Sequence, residues 1–311
     1  MKISSPHMVP AYELLPSSCT LCPMRCGADR KHGDIGICGA GDKLHIHHWM
    51  RHHGEEPPLS GMHGSGAIFF SGCPLRCVYC QNHRWSQTRP LPGKTYTVGE
   101  LAALCLSFQE TGCHNINFVT PEPWIPFIIP AVKLAKANGL RIPLVWNTSG
   151  FISLDGFDLI RDIVDIFLTD IRYKDSDEAH RLSGHGRYYD SCRTSALHML
   201  ESVGHFQMDC SGIGMRGIIT RVLIIPGMVH SSCASLDFIA RALSPDTYIS
   251  LMAQYEPVHR IRLDHRYGRR VSLKELNAVR RYADTLGLHY GWRQDLDPPA
   301  SEFLGTRMED L

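Results

Sequence analysis

Residues 67–85 read AIFFSGCPLRCVYCQNHRW. The apolar run from Ala67 to Phe70 stops at Ser71 and Gly72, which predicts a buried strand opening into a loop. Cys73, Cys77 and Cys80 follow at the spacing C-x3-C-x2-C. Three thiolates on one short loop can hold three corners of a cube-shaped iron–sulfur cluster. Such clusters normally take four Cys ligands, so one iron would remain open to a small molecule. Tyr79 places an aromatic face just before the last Cys. The alternatives are a zinc loop or three core thiols, but zinc sites take four ligands at paired spacings.

Downstream, strand-like and helix-like units alternate. Thr97 and Glu100 have the form of a capping box, and Leu101, Leu104, Cys105 and Phe108 recur at helical spacing. Further strands are expected at 115–119, 144–146, 164–168, 218–225 and 248–253. Helices are expected after Pro123 as far as Asn138, from Ser153 to Asp162, at 232–243, and from Ser272 onward. Six strands with helical connections predict an α/β fold, a partial parallel (β/α)6 barrel. In such barrels the chemistry gathers at the C-terminal strand ends. Cys73 to Cys80, Glu122, Asn147 to Ser149, Asp170, Arg172, Pro226 and Tyr255 all fall there. Arg221 sits inside the fifth strand, as a cofactor contact or a buried pair, and His259 follows the sixth.

Upstream, residues 17–42 carry Cys19, Cys22, Cys26 and Cys38 in a glycine-rich segment too polar to build its own core. A metal would substitute for one, as structural zinc or as iron–sulfur. Zinc would imply a scaffold; a cluster would imply electron relay. The stretch 45–53 holds five His but no Cys or carboxylate at a standard ligand spacing, so it reads as a strand and turn joining the module to the main domain. Glu55 and Glu56 read as surface or pairing carboxylates. The expected division is residues 1–60 as Cys-rich module and connector, 61–290 as barrel, and 291–311 as tail.

The chain has 311 residues, is 43% hydrophobic and carries a net charge of +1, so charge gives no case for nucleic acid or an anionic membrane as partner. No apolar run is long enough to span a bilayer, and the first residues lack the apolar core of a signal peptide. A cytoplasmic location is expected, where thiols stay reduced. Twelve Cys there point to metal rather than disulfides. Cys105, Cys113, Cys192, Cys210 and Cys233 are scattered and read as packing residues.

The segments CTLCPMRCGADR, HHGEEPPLSG, GSGAIFFSGCPLRCVYCQN, HNINFVTP, WNTSG, VDIFLTDIRY and LMAQYEP together resemble the radical S-adenosylmethionine (SAM) superfamily. Within it, they resemble uncharacterised iron–sulfur proteins homologous to pyruvate formate-lyase activating enzyme. The resemblance implies a 4Fe-4S cluster on Cys73, Cys77 and Cys80, with SAM on the open iron and Tyr79 near the adenine. Thr120-Pro121-Glu122-Pro123 stands where the superfamily carries Gly-Gly-Glu-Pro, keeping the carboxylate without the glycines. Asn147, Thr148 and Ser149 resemble a SAM-contact turn. Asp170 and Arg172 stand where activating enzymes carry Asp-x-Lys, a change that keeps charge but not shape. A flavodoxin- or ferredoxin-type reductant is implied.

Three functions follow as expectations. The chain activates a partner glycyl-radical enzyme; or it modifies another peptide, protein or small molecule by radical chemistry; or it is a metal-binding redox protein without turnover. The intact Cys triad and the convergence at the strand ends speak against the last.

Overall fold

The computed structural model describes residues 10–296. Its strands are β1 (Leu44–His52), β2 (Ser65–Phe70), β3 (Lys94–Tyr96), β4 (Ile116–Val119), β5 (Leu144–Thr148), β6 (Ile166–Asp170), β7 (Gln207–Met208), β8 (Gly214–Leu223), β9 (Tyr248–Met252) and β10 (Gly291–Arg293). One open sheet runs in the order β10-β9-β8-β6-β5-β4-β2-β1-β3, and β7 pairs with β8. From β2 to β10 along that path every pairing is parallel. β1 and β3 extend the other end in antiparallel fashion. All six expected barrel strands are present, and the His-rich stretch is the strand β1. Three strands go beyond the expectation: β3, the short β7, and β10 at the start of the segment read as a tail. Residues 297–311 of that segment, and residues 1–9 of the expected module, lie outside the described residues.

The helices follow local sequence. Thr97 and Glu100 form the expected capping box on Val98–Glu110, and Ser272 and Glu275 form one on Leu273–Thr285. The Ser153 hydroxyl accepts from Gly156 N at the head of Leu154–Ile160. Two helices absent from the sequence reading, Ser176–Ser183 and Tyr188–Val203, fill the crossover from β6 to β8. Cys192, Ala196, Met199 and Val203 give the second of these a buried stripe at helical spacing.

Parallel strands are covered on both sides. On the helix side, Phe70, Phe118, Trp146 and Phe167 belong to the main core. On the other side Val145, Ile166, Leu168 and Ile219 close around Leu59 and Phe206. Strand alternation then fixes the site. Asn147, Asp170 and Arg221 lie two residues beyond Val145, Leu168 and Ile219, on the same inner face but past the apolar plug.

The Cys-rich module is clamped to the barrel at several points. Arg30 is fully buried; its guanidinium donates to the carbonyls of Gly41 and Pro123, the latter at 2.7 Å, and lies over the Trp124 ring. Ser153 donates to the Thr20 carbonyl at 2.6 Å. Gly72 has φ +83°, and a Cβ there would stand 2.5 Å from the Cys38 carbonyl oxygen. Only glycine allows both that dihedral and that approach. Gly72→Ala is therefore expected to destabilise the protein by about 3 kcal/mol, combining left-handed strain with steric displacement. Anaerobic urea unfolding reads this; a loss below about 0.5 kcal/mol would show that the two segments separate freely.

Candidate active site

The loop carrying Cys73, Cys77 and Cys80 is held from several directions. The Trp124 indole donates to the Ser71 carbonyl at 2.9 Å, and Ser71 Oγ donates to the Pro92 carbonyl. Arg76 N and Val78 N donate to the carbonyls of Ser183 and Leu182, and Ile261 N donates to the Val78 carbonyl. Gln87 Nε2 donates to the Cys77 carbonyl at 2.8 Å. A loop bonded in this way holds its thiols in place before any ligand binds.

All three thiols open into one cleft of about 250 Å³. Tyr79, Asn147, Thr148, Ser149, Asp170, Arg172 and Arg221 line the same cleft. The structure thus brings together every residue proposed from sequence for the cluster loop and its cofactor except Glu122. That carboxylate is 1% exposed and faces Trp146 and Thr148, with Trp146 packed in the helix-side core. It lines a second, smaller cavity beside the four thiols of the N-terminal module. The turn Pro121-Glu122-Pro123 starts a short 3-10 helix, Glu122–Trp124, which seats the side chain against Thr148 and Trp146 behind the cleft wall. Pro226 is also absent from the cleft wall, and His259 stacks on His83 at 4.3 Å outside it.

Three electrostatic features shape the cleft. Burial pushes the thiols up, Cys77 to about 12, and for Cys73 the neighbouring Cys77 and Cys80 add to the rise. As thiolates they need a nearby positive charge, which a bound metal supplies. Secondly, Arg172 pairs with Asp170, and Arg172 Nη1 reaches the Tyr79 hydroxyl at 3.5 Å. Tyr79 and Tyr173 share a short hydroxyl contact. The Tyr188 hydroxyl donates to the Ser149 carbonyl at 2.7 Å, fixing the turn after β5.

The third feature is a buried charge network. Arg221 pairs with both Glu55 and Glu56, donating from Nε to Glu56 at 2.7 Å. Its Nη1 donates to Asn147 Oδ1 at 3.3 Å, and Asn117 Nδ2 donates to Glu55 at 2.9 Å. Burial alone would raise Glu55; Arg221 and His52 outweigh it and hold the carboxyl down at about 2. The pairing expected for Glu55 and Glu56 is present, but Glu55 also lines the cleft, which the sequence reading did not foresee. The available signal was an Arg inside an otherwise apolar strand, since a buried charge requires a countercharge.

In β1, His47 stacks on Trp85 at 4.7 Å and His48 on Phe69 at 4.2 Å, and burial lowers both imidazoles, His48 to about 4. They are packed as neutral rings. Among the described residues, no three His, Cys, Asp or Glu side chains gather as ligands of a single metal ion do. The thiols at the corners of a cube bind different irons and stand further apart than ligands of one ion.

Residues 67–215 match the model of the radical SAM superfamily. The chain carries a radical SAM domain. Superfamily members bind a 4Fe-4S cluster and SAM, and the donor set here suits both. Three soft thiols face one cleft that also offers a cation, carboxylates, an aromatic ring and amide groups. An uncharacterised protein of Methanocaldococcus jannaschii is 27% identical over 279 residues, covering 87% of this chain and 75% of that protein. The pyruvate formate-lyase-activating enzyme of Clostridium pasteurianum is 29% identical over 126 residues, 39% of this chain and 50% of the enzyme. HydG, a maturase of the FeFe-hydrogenase, shares the fold, with a TM-score of 0.52 at 13% identity over 74% of this chain and 52% of HydG. The chain thus spans about half the length of the activating enzyme and of HydG. Among the described residues of this radical SAM protein, no helix is long and apolar enough to cross a membrane.

Proposed function

We propose that the chain is a radical SAM enzyme whose 4Fe-4S cluster is held by Cys73, Cys77 and Cys80, acting in the cytoplasm on a glycine of a partner glycyl-radical enzyme. The observation that carries the chemistry is the opening of all three thiols into a cleft that Tyr79, Asn147, Asp170, Arg172 and Arg221 also line. When bound, the cluster and SAM supply one-electron cleavage of the sulfonium to methionine and a 5′-deoxyadenosyl radical, which takes a hydrogen atom from the substrate.

The residues do the positioning. The Tyr79 ring offers a face for the adenine, and its hydroxyl is fixed by Tyr173 and Arg172. Arg172, already paired with Asp170, offers a cation to a carboxylate. Asn147, Thr148 and Ser149 present amide, hydroxyl and carbonyl groups at the end of β5. Glu55, kept ionised by Arg221, offers an acceptor to hydroxyl or amino groups. Arg221 itself is engaged on both acids and serves to hold them in place. The tightly bonded loop holds the three thiols in position.

Similarity to the C. pasteurianum activating enzyme, and to a putative glycyl-radical enzyme activating enzyme of Haemophilus influenzae at 29% identity, supports the glycine substrate. A flavodoxin- or ferredoxin-type protein is the proposed reductant. With dithionite and SAM under anaerobic conditions the protein is expected to release 5′-deoxyadenosine. Added to a glycyl-radical enzyme, it is expected to raise the doublet of a glycyl radical in paramagnetic resonance. No 5′-deoxyadenosine would overturn the enzyme reading. Its release without a glycyl radical would transfer the chemistry to another peptide, protein or small molecule.

A further inference from the structure

Cys19, Cys22, Cys26 and Cys38 surround a small cavity whose other lining residues are apolar apart from Arg30 and Glu122. A single zinc would draw four sulfurs to about 2.3 Å from one point and leave no space between them. The four thiols are not gathered in that manner, and neither are Cys73, Cys77 and Cys80. In a cube each thiolate binds a different iron, and the core of the cluster fills the space between them.

Glu122 also lines this cavity at 1% exposure, beside Thr148 and Trp146. Arg30, also on the cavity wall and fully buried, bonds backbone carbonyls and brings a fixed positive charge to the thiolates.

We propose that this cavity holds a second 4Fe-4S cluster, which passes single electrons to the first. The inference rests on the reading of Cys73, Cys77 and Cys80 as the first site. Pro74, next to Cys73, forms part of the cavity wall. Gly72 lies against the Cys38 carbonyl, and Arg89 lies within charge range of both Cys38 and Cys73. The two sites are thus packed against each other through one loop. In each transfer the second cluster is oxidised from the 1+ to the 2+ state and the first is reduced from 2+ to 1+. A low-potential one-electron donor of flavodoxin or ferredoxin type returns the second cluster to 1+. No bond or proton changes hands.

The full chain, purified and reconstituted without oxygen, is expected to hold about eight irons and eight sulfides. On reduction it should show two paramagnetic signals, of which SAM alters one. Cys73→Ala/Cys77→Ala/Cys80→Ala should keep about four irons and the signal that SAM leaves unchanged. One tightly held zinc with about four irons and a single SAM-sensitive signal would overturn the second cluster and leave the first reading intact. About four irons with a signal blind to SAM would overturn the first reading, and the relay with it. The wild-type count needs no variant, so misfolding cannot obscure it. In Cys22→Ala/Cys26→Ala, reduced flavodoxin should reduce the first cluster at least tenfold more slowly in stopped flow. An unchanged rate would overturn the relay.

Discussion

Cys73→Ala is expected to lose SAM cleavage by roughly a thousandfold or more, equivalent to about 4 kcal/mol of barrier. The reason is geometric. Cys73, Cys77 and Cys80 are the thiols that open into the cleft. With two of them left, a cube has two unanchored corners, and a cofactor can no longer be aimed by the third. Reconstituted iron should fall in the same variant, and the absorption of the cluster should fall with it. Cys105→Ala is the matching control. That thiol is fully buried in helix Val98–Glu110, away from the cleft. It should cost about 1 kcal/mol of stability through lost packing and leave the cleavage rate unchanged. Equal losses in the two variants would show that the cleft thiols serve packing alone.

The largest effect on stability is expected from Arg221→Met. It strips the countercharge from Glu55 and Glu56, both buried. Breaking a buried pair on one side costs roughly 3–5 kcal/mol, because an uncompensated charge remains. The double variant Arg221→Met/Glu55→Gln should recover part of that loss. The pH dependence follows from Glu55, held at about 2 against an ordinary value of 4.5. Between those values the native state binds fewer protons than the unfolded chain, so its stability rises with pH. The contribution of the network is therefore complete above about pH 4.5 and lost as pH falls toward 2. Urea titrations of wild type and Arg221→Met should converge over that window. A gap that stays constant on acidification would assign the loss to packing around the methionine instead.

The barrel was legible because each parallel strand is a short apolar run closed by turn residues. The loop after β2 and the end of β5, Asn147 to Ser149, stood out for the same reason. Asp170 was legible as a residue at the end of its strand, and Arg221 as a charge inside an apolar one. What escaped depended on tertiary placement. Glu122 follows a strand end like the others, yet its proline-flanked turn aims it toward Trp146 and the four-thiol module. Arg30 looks like one more charge in a polar segment, but it is buried against the carbonyl of Pro123, 93 positions away. β10 is three residues long, too short to announce itself, and is recruited by the free edge of β9. The crossover helices at 176–203 sit in a mostly polar stretch whose stripe is visible only once a core is there to face.

The bonds that fix the thiol loop have a consequence for biosynthesis. Its backbone amides at 76 and 78 donate to carbonyls at 182 and 183, and its carbonyls at 76 and 78 accept from Arg260 and Ile261. Those partners leave the ribosome long after the cysteines do. While the chain is still growing, the three thiols ride on a segment without its clamps, and long-range contacts of this kind form late. A chain truncated before residue 260 is therefore expected to keep the three thiols on a less constrained loop and to take up less iron on reconstitution than the full chain.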